Sequence, residues 1–159
     1  KIPLVGKIEN IESNQRVIIS TGDNALRKKY FQMFRKQLVE PSLVHPESIQ
    51  EGECFIGNYN QIFAGSFIGA EVKVGLNNIL NTSSVIEHES KVGNHNHISI
   101  GSILGGRCLV GDSCMIGAGA VILDNISICS NVNIGAGTVV ICDINSEGTY
   151  VGNPARKVK

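Results

Sequence analysis

"VGDSCMIGAGAVILDNISICSNVNIGAGTVV", residues 110–140, carries an aliphatic side chain at every sixth position: Val110, Ile116, Ile122, Ile128, Ile134 and Val140. Followed toward the N-terminus, the same step passes through Leu104, Ile98, Val92, Ile86, Leu80, Val74, Ile68 and Ile62 to Ile56, so that fifteen successive sites are Ile, Val or Leu. Glycine follows the aliphatic at eight of the fifteen, and the residue four places on is mostly small, as at Ser66, Ser84, Ser102, Cys114, Ala120 and Thr138. A period of six belongs neither to an amphipathic helix nor to an alternating strand. It suits short strands separated by tight corners. One aliphatic per strand points inward, a small residue fills the narrow interior, and Gly or Asn supplies positive φ at the bends. Three such strands make one turn of a triangular prism, so the repeats predict about five turns of a parallel β-helix.

Length and composition narrow the function. With 159 residues the chain is one domain, or one domain with a fragment of another. A net charge of zero with only 18% charged residues argues against nucleic acid or an anionic membrane as partner. Hydrophobic residues reach 42% but aromatics only 5%, so the core is expected to be Ile, Val and Leu with small residues. No run approaches the roughly 18 apolar residues of a membrane span, and no export signal opens the chain. Five cysteines (54, 108, 114, 129 and 142) without a C-x-x-C pair then read as reduced thiols in a cytoplasmic protein. The chain opens at Lys1 rather than Met, inside a strand–loop pattern, and a further N-terminal portion is expected.

Residues 1–40 read differently from the repeats. "RVIISTGDN" is a β-branched strand entering a Gly-Asp-Asn turn. "ALRKKYFQMFRKQL" follows with Leu26, Tyr30, Met33, Phe34 and Leu38 at helical spacing and Asp23 or Asn24 as N-cap. Strand, glycine turn and helix form half of a Rossmann-like nucleotide-binding unit, whose helix N-terminus suits a phosphate; a packing element is the alternative. Arg27, Lys28 and Lys29 read as a solvated face. Pro41 and Pro46 mark the boundary with the prism, which is expected over 41–159.

"NTSSVIEHE" followed by "VGNHNHISIG" resembles the sugar acetyltransferase branch of the bacterial hexapeptide-repeat acyltransferases. That branch includes sialic acid O-acetyltransferases and N-acetyltransferases acting on UDP-linked 4-amino sugars. The resemblance runs from "VIISTGDNALRKKYF" to "TYVGNPARKV". It implies a left-handed β-helix, a homotrimer with active sites between neighbouring prisms, acetyl-CoA as cosubstrate with no metal, and a nucleotide-activated amino sugar or sialic acid as acceptor. The 4-amino group of a UDP-linked sugar for surface glycans is the favoured acceptor.

His88 stands two residues after the inward Ile86, at a corner rather than in the core. Acetyl transfer from a thioester needs a base for the acceptor's proton, and imidazole is suited to that near neutrality. A carboxylate on its other nitrogen fixes the tautomer; Glu89, directly after His88, matches the family's position for that role. The alternative is a solvated charged corner. Gly22, Asn81 and Glu87 are the expected substrate contacts. By resemblance, His97, Gly106, Ala118 and Ala136 meet the coenzyme, and the Gly106 N–H is a candidate oxyanion donor. His97 lies nine residues after His88, on another side of its own prism, so a site using both is expected to be built from two subunits. His88, His95 and His97 also equal in number the three zinc ligands of β-helix carbonic anhydrases, a less favoured reading. Arg156, Lys157 and Lys159 are either a phosphate contact or an ordinary basic tail. Cys108 and Cys114 fall in the small inward slot and are expected to be inert, which favours one-step transfer.

Overall fold

The structure, a computed structural model, describes residues 7–158. From Leu43 onward the chain winds into a left-handed parallel β-helix of about six turns, nearly all of its strands two residues long. Partners lie eighteen residues apart, as in Ile79 beside His97 and His97 beside Met115. The first face stacks Leu43–Val44, Gln61–Ile62, Ile79–Leu80, His97–Ile98, Met115–Ile116, Val132–Ile134 and Gly148–Val151. The second stacks Ile49–Gln50, Phe67–Ile68, Val85–Ile86, Ile103–Leu104, Val121–Ile122 and Val139–Val140. The third stacks Phe55–Ile56, Lys73–Val74, Lys91–Val92, Leu109–Val110 and Ser127–Ile128.

The prism holds one more coil than the aliphatic period announces, because Gln50 occupies an inward-type position in the first coil. Among the described residues nothing covers that end of the prism, where Val44 and Gln50 are exposed and no apolar side chain is demanded. At the other end Arg156–Lys157 folds back as an antiparallel strand on Tyr150 and Val151. Lys159 and Lys1 lie outside the described residues.

Ile68, Leu80, Ile86, Ile98, Leu104, Ile116 and Ile122 are fully buried along the axis. Truncating one to alanine costs about 2–5 kcal/mol, since the coils above and below cannot close the gap. Asparagines complete the interior where the ladder leaves main-chain donors unpaired. Asn60 Oδ1 accepts from the Asn78 N–H at 2.7 Å, Asn78 Oδ1 from the Asn96 N–H at 2.7 Å, and Asn96 Oδ1 from the Cys114 N–H at 2.7 Å.

Gly or Asn does supply positive φ at many bends, as at Gly65, Gly101, Gly119, Gly137, Asn77, Asn125 and Asn131, but other residues share the task. Positive φ falls three residues after the inward aliphatic, in three columns: Tyr59, Asn77, His95, Ser113 and Asn131; Glu71, Glu89, Arg107 and Asn125; and Gly65, Ser83, Gly101, Gly119 and Gly137. Two of the three columns hold no glycine at all, although each non-glycine there costs about 1 kcal/mol. The glycines directly after the aliphatics serve close approach instead. A Cβ on Gly75 would stand 2.6 Å from the Gly93 carbonyl oxygen, and one on Gly117 2.6 Å from that of Ile134.

The N-terminal segment forms helix α1, Asn24–Met33, and a single bridge between Val17 and Leu38 in place of the expected strand. With no second strand to ladder against among the described residues, the β-branched run pairs at one residue only. Asp23 is the N-cap and its side chain accepts from the Leu26 N–H at 2.7 Å, so a carboxylate already occupies the helix end read as a phosphate receptor. Of the expected stripe Phe34 and Leu38 are buried and Tyr30 is half-buried, whereas Leu26 and Met33 are exposed and Arg27 and Phe31 are buried in their stead. Arg27 is the surprise, being fully buried rather than solvated. Its guanidinium donates to the carbonyls of Asn77, His95, Asn96, Thr21 and Gly22 and to Asn24 Oδ1. Burial pulls its pKa down to about 10, against the pull of Asp23.

Candidate active site

The corner from the second face to the third carries His88 and Glu89. His88 Nδ1 lies 3.0 Å from Glu89 Oε2, and both side chains are about half exposed. The carboxylate can only accept, so Nδ1 carries the proton and Nε2 is left as the free basic nitrogen. Glu89 holds left-handed φ, which turns its side chain back along the corner toward the imidazole.

One coil on, Gly106 lies directly under the ring. A Cβ there would be 2.7 Å from both His88 Cε1 and Nε2 and 2.8 Å from Asp124 Oδ1. Gly106 is buried, and its N–H has no acceptor among the described residues. Arg107 follows, with Nη1 3.8 Å from Glu89 Oε2 and Nη2 in an ion pair with Asp124 Oδ2. Glu87, half-buried on the same turn as His88, has no side-chain partner among the described residues.

A second cluster lies where the first face turns into the second. Asn81 Oδ1 accepts from the Thr82 N–H at 2.8 Å, which aims the amide Nδ2 at His97 Nε2, 3.1 Å away. Nε2 therefore accepts, and Nδ1–H donates to the Gly22 carbonyl at 3.1 Å. His97 is held neutral in this arrangement. Burial is the main cause that lowers its pKa, helped by the Arg27 charge and opposed by the Gly22 carbonyl. Ala118 and Ala136 are exposed on this corner too, beside Gly119 and Gly137, where a Cβ would meet nothing within 4 Å. The result is a smooth, narrow shoulder of small side chains.

The expected residues thus gather into two groups on one prism: His88, Glu89 and Gly106 at one corner, and Asn81, His97, Gly22, Ala118 and Ala136 around the other. His95 belongs to neither. It sits at the third corner, where Asn77 Nδ2 lies 2.7 Å from its Nδ1 and the Phe31 ring packs edge-on at 5.1 Å. His88, His95 and His97 do not converge within the chain, and no group of three or more His, Cys, Asp or Glu among the described residues is arranged to hold a metal. Cys108 and Cys114 are fully buried. Burial pushes the Cys108 thiol up and that of Cys114 up to about 11, so neither is a thiolate nucleophile near neutrality.

Arg107, Asp124 and the buried Arg27 are absent from the sequence-based site. The first two were within reach of the eighteen-residue repeat, since Arg107 lies one turn after Glu89 and Asp124 two turns after His88. Arg27 carried no such signal.

Residues 107–142 match the family described as bacterial transferase hexapeptide (six repeats). No curated protein matches the chain. Among solved structures, the acetyltransferase domain of PglB from Neisseria gonorrhoeae superposes with a TM-score of 0.88 at 27% identity, over 94% of this chain and 74% of that one. The same domain in complex with acetyl coenzyme A gives 0.87 at 27% identity, with the same coverage of each chain. PerB from Caulobacter crescentus, in complex with CoA and GDP-perosamine, gives 0.87 at 28% identity over 91% of this chain and 70% of that one. Repeat, fold and extent of match all support the resemblance to bacterial hexapeptide-repeat sugar acetyltransferases.

Proposed function

We propose that the chain transfers an acetyl group from acetyl-CoA to the 4-amino group of a nucleotide-linked sugar, UDP-linked by preference, with His88 as general base. The observation that carries this reading is the His88–Glu89 pair. It leaves a neutral Nε2 at an open corner, above a buried Gly106 N–H that lacks a partner. The acceptor nitrogen attacks the thioester carbonyl carbon as Nε2 takes its proton, and the oxyanion that forms accepts from the Gly106 N–H. Collapse of the tetrahedral species breaks the C–S bond, and the proton on His88 leaves with the CoA thiolate. Glu89 keeps the tautomer and stabilises the transient imidazolium. A thioester is already activated, so no metal is required.

The similarity to structures crystallised with CoA and GDP-perosamine supports both substrates. A homotrimer is part of the proposal, favoured by the second face. Its outward column is Ile49, Phe67, Val85, Ile103, Val121 and Val139, apolar throughout and flanked by the two site corners. Burying that column against two other copies brings the His88 corner of one prism toward the Asn81–Ala118–Ala136 corner of the next. Gly22 and Glu87 then border the acceptor, and the groove is placed for the coenzyme arm. The cytoplasm, where both substrates are made, is the proposed location.

Release of CoA thiol is measured with acetyl-CoA against UDP- and GDP-linked 4-amino sugars and free sialic acid, alongside sedimentation for the expected trimer. Turnover is expected with an amino sugar. His88→Ala should lower it by roughly 10²–10⁴-fold without changing the sedimenting species. Turnover confined to sialic acid, or an unimpaired variant, overturns the assignment.

A further inference from the structure

The charges that continue from Glu89 through Arg107 to Asp124 include two, Arg107 and Asp124, that have no role in the reaction as described. The His88–Glu89 pair is half exposed, and an isolated pair so exposed contributes little, because ordering two solvated side chains offsets the screened attraction. Something else must hold the carboxylate on Nδ1. Arg107 stands one coil below Glu89 at the same left-handed bend, and its main-chain N–H donates to the His88 carbonyl at 2.8 Å. One arm of its guanidinium reaches Glu89 Oε2 and the other is anchored on Asp124 Oδ2. Asp124 and the His88 ring both border Gly106, whose added Cβ would lie 2.8 Å from Asp124 Oδ1 and 2.7 Å from the imidazole. Three coils are thereby tied into one network around a single imidazole. A planar fork spans two carboxylates in this way, whereas an ammonium group does not.

We infer that Arg107 is a positioning residue which, anchored by Asp124, seats Glu89 on His88 and so aims Nε2 at the acceptor; the inference rests on the acetyl-transfer reading. Arg107 is the group that ties the two carboxylates together, so without it Glu89 is free to leave Nδ1 and the ring loses its aim.

The test compares R107M, R107K and D124N with wild type, using folded protein judged by circular dichroism and melting temperature. In R107M kcat is expected to fall roughly 10- to 100-fold, with KM for acetyl-CoA within about threefold. R107K should recover only part of the loss, because an ammonium group does not span both carboxylates. Raising salt should lower wild-type kcat and leave R107M unaffected, because the network is screened by ions. If R107M does not fold, D124N carries the test, since it frees the anchor while leaving the arginine in place. An unchanged kcat overturns the inference. So does a tenfold rise in KM for acetyl-CoA with kcat retained, which would make Arg107 a coenzyme contact. Wild-type protein inactive with every acceptor sinks the acetyl-transfer reading itself, whereas active wild type with an indifferent R107M sinks this inference alone.

Discussion

Gly106→Ala separates the chemistry from the fold more cleanly than removal of the base. The new Cβ would stand 2.7 Å from His88 Cε1 and Nε2. Carbon and nitrogen rest near 3.4 Å or more, so the ring must retreat by about 0.7 Å. It can do so, because His88 is 47% exposed and swings toward solvent without disturbing the coil. Gly106 has no left-handed φ to lose, and alanine restricts the unfolded chain, so stability should stay within about 1 kcal/mol of wild type. A misplacement of this size at the reacting atom costs on the order of 10²-fold in rate, or roughly 2–3 kcal/mol of transition-state stabilisation. Gly105→Ala is the control. Its Cβ would meet the Asp124 main-chain nitrogen at 2.7 Å and the Leu123 carbonyl carbon at 3.0 Å, atoms that cannot move without parting two coils. Overpacking of that kind costs about 1–3 kcal/mol. Urea denaturation and thiol release, run on both variants, should therefore give opposite patterns: lost turnover with kept stability for Gly106→Ala, and lost stability for Gly105→Ala. Full kcat in Gly106→Ala, or a loss of stability equal to that of Gly105→Ala, refutes the placement of the ring over Gly106.

Arg27→Met should destabilise the protein by about 3–5 kcal/mol in urea, because five main-chain carbonyls lose their buried donor; a change under about 1 kcal/mol would mean that water replaces the guanidinium at little cost. Burial lowers the pKa values of both His95 and His97, so the unfolded chain binds more protons than the folded one once pH drops below about 6.5. Their contribution is complete above that value and is lost as pH falls toward the lowered folded values, which predicts urea midpoints that decline between pH 7 and 5. A decline that persists undiminished in a His95→Gln, His97→Gln double variant would assign the effect to other groups.

The prism was legible because a β-helix repeats its demands. Every inward site from Ile56 to Val140 faces the same narrow axis, so the same side-chain class recurs at the same step. The site residues were legible in part for a related reason. His88 breaks the aliphatic and small-residue pattern at a bend, and the adjacent Glu89 reaches it through local geometry alone. Arg107 and Asp124 belong to later coils and meet His88 only through stacking. The bend glycines hold the positive φ expected of them, but a sequence does not distinguish these from glycines kept because a neighbouring strand lies 2.6 Å from the missing Cβ.

Sequence alone determined the step of six, the aliphatic axis and the burial of Cys108 and Cys114, all consequences of spacing along one chain, while the pairing of Glu89 with His88 was implied by the family resemblance. Only the tertiary structure decided that Arg27 is buried among carbonyls, that His97 has both nitrogens committed, and that the site residues divide between two corners. The physical reason is that burial and hydrogen-bond partnership here are set by groups separated by sixteen to seventy-five residues, brought together by the winding of the prism and the docking of α1.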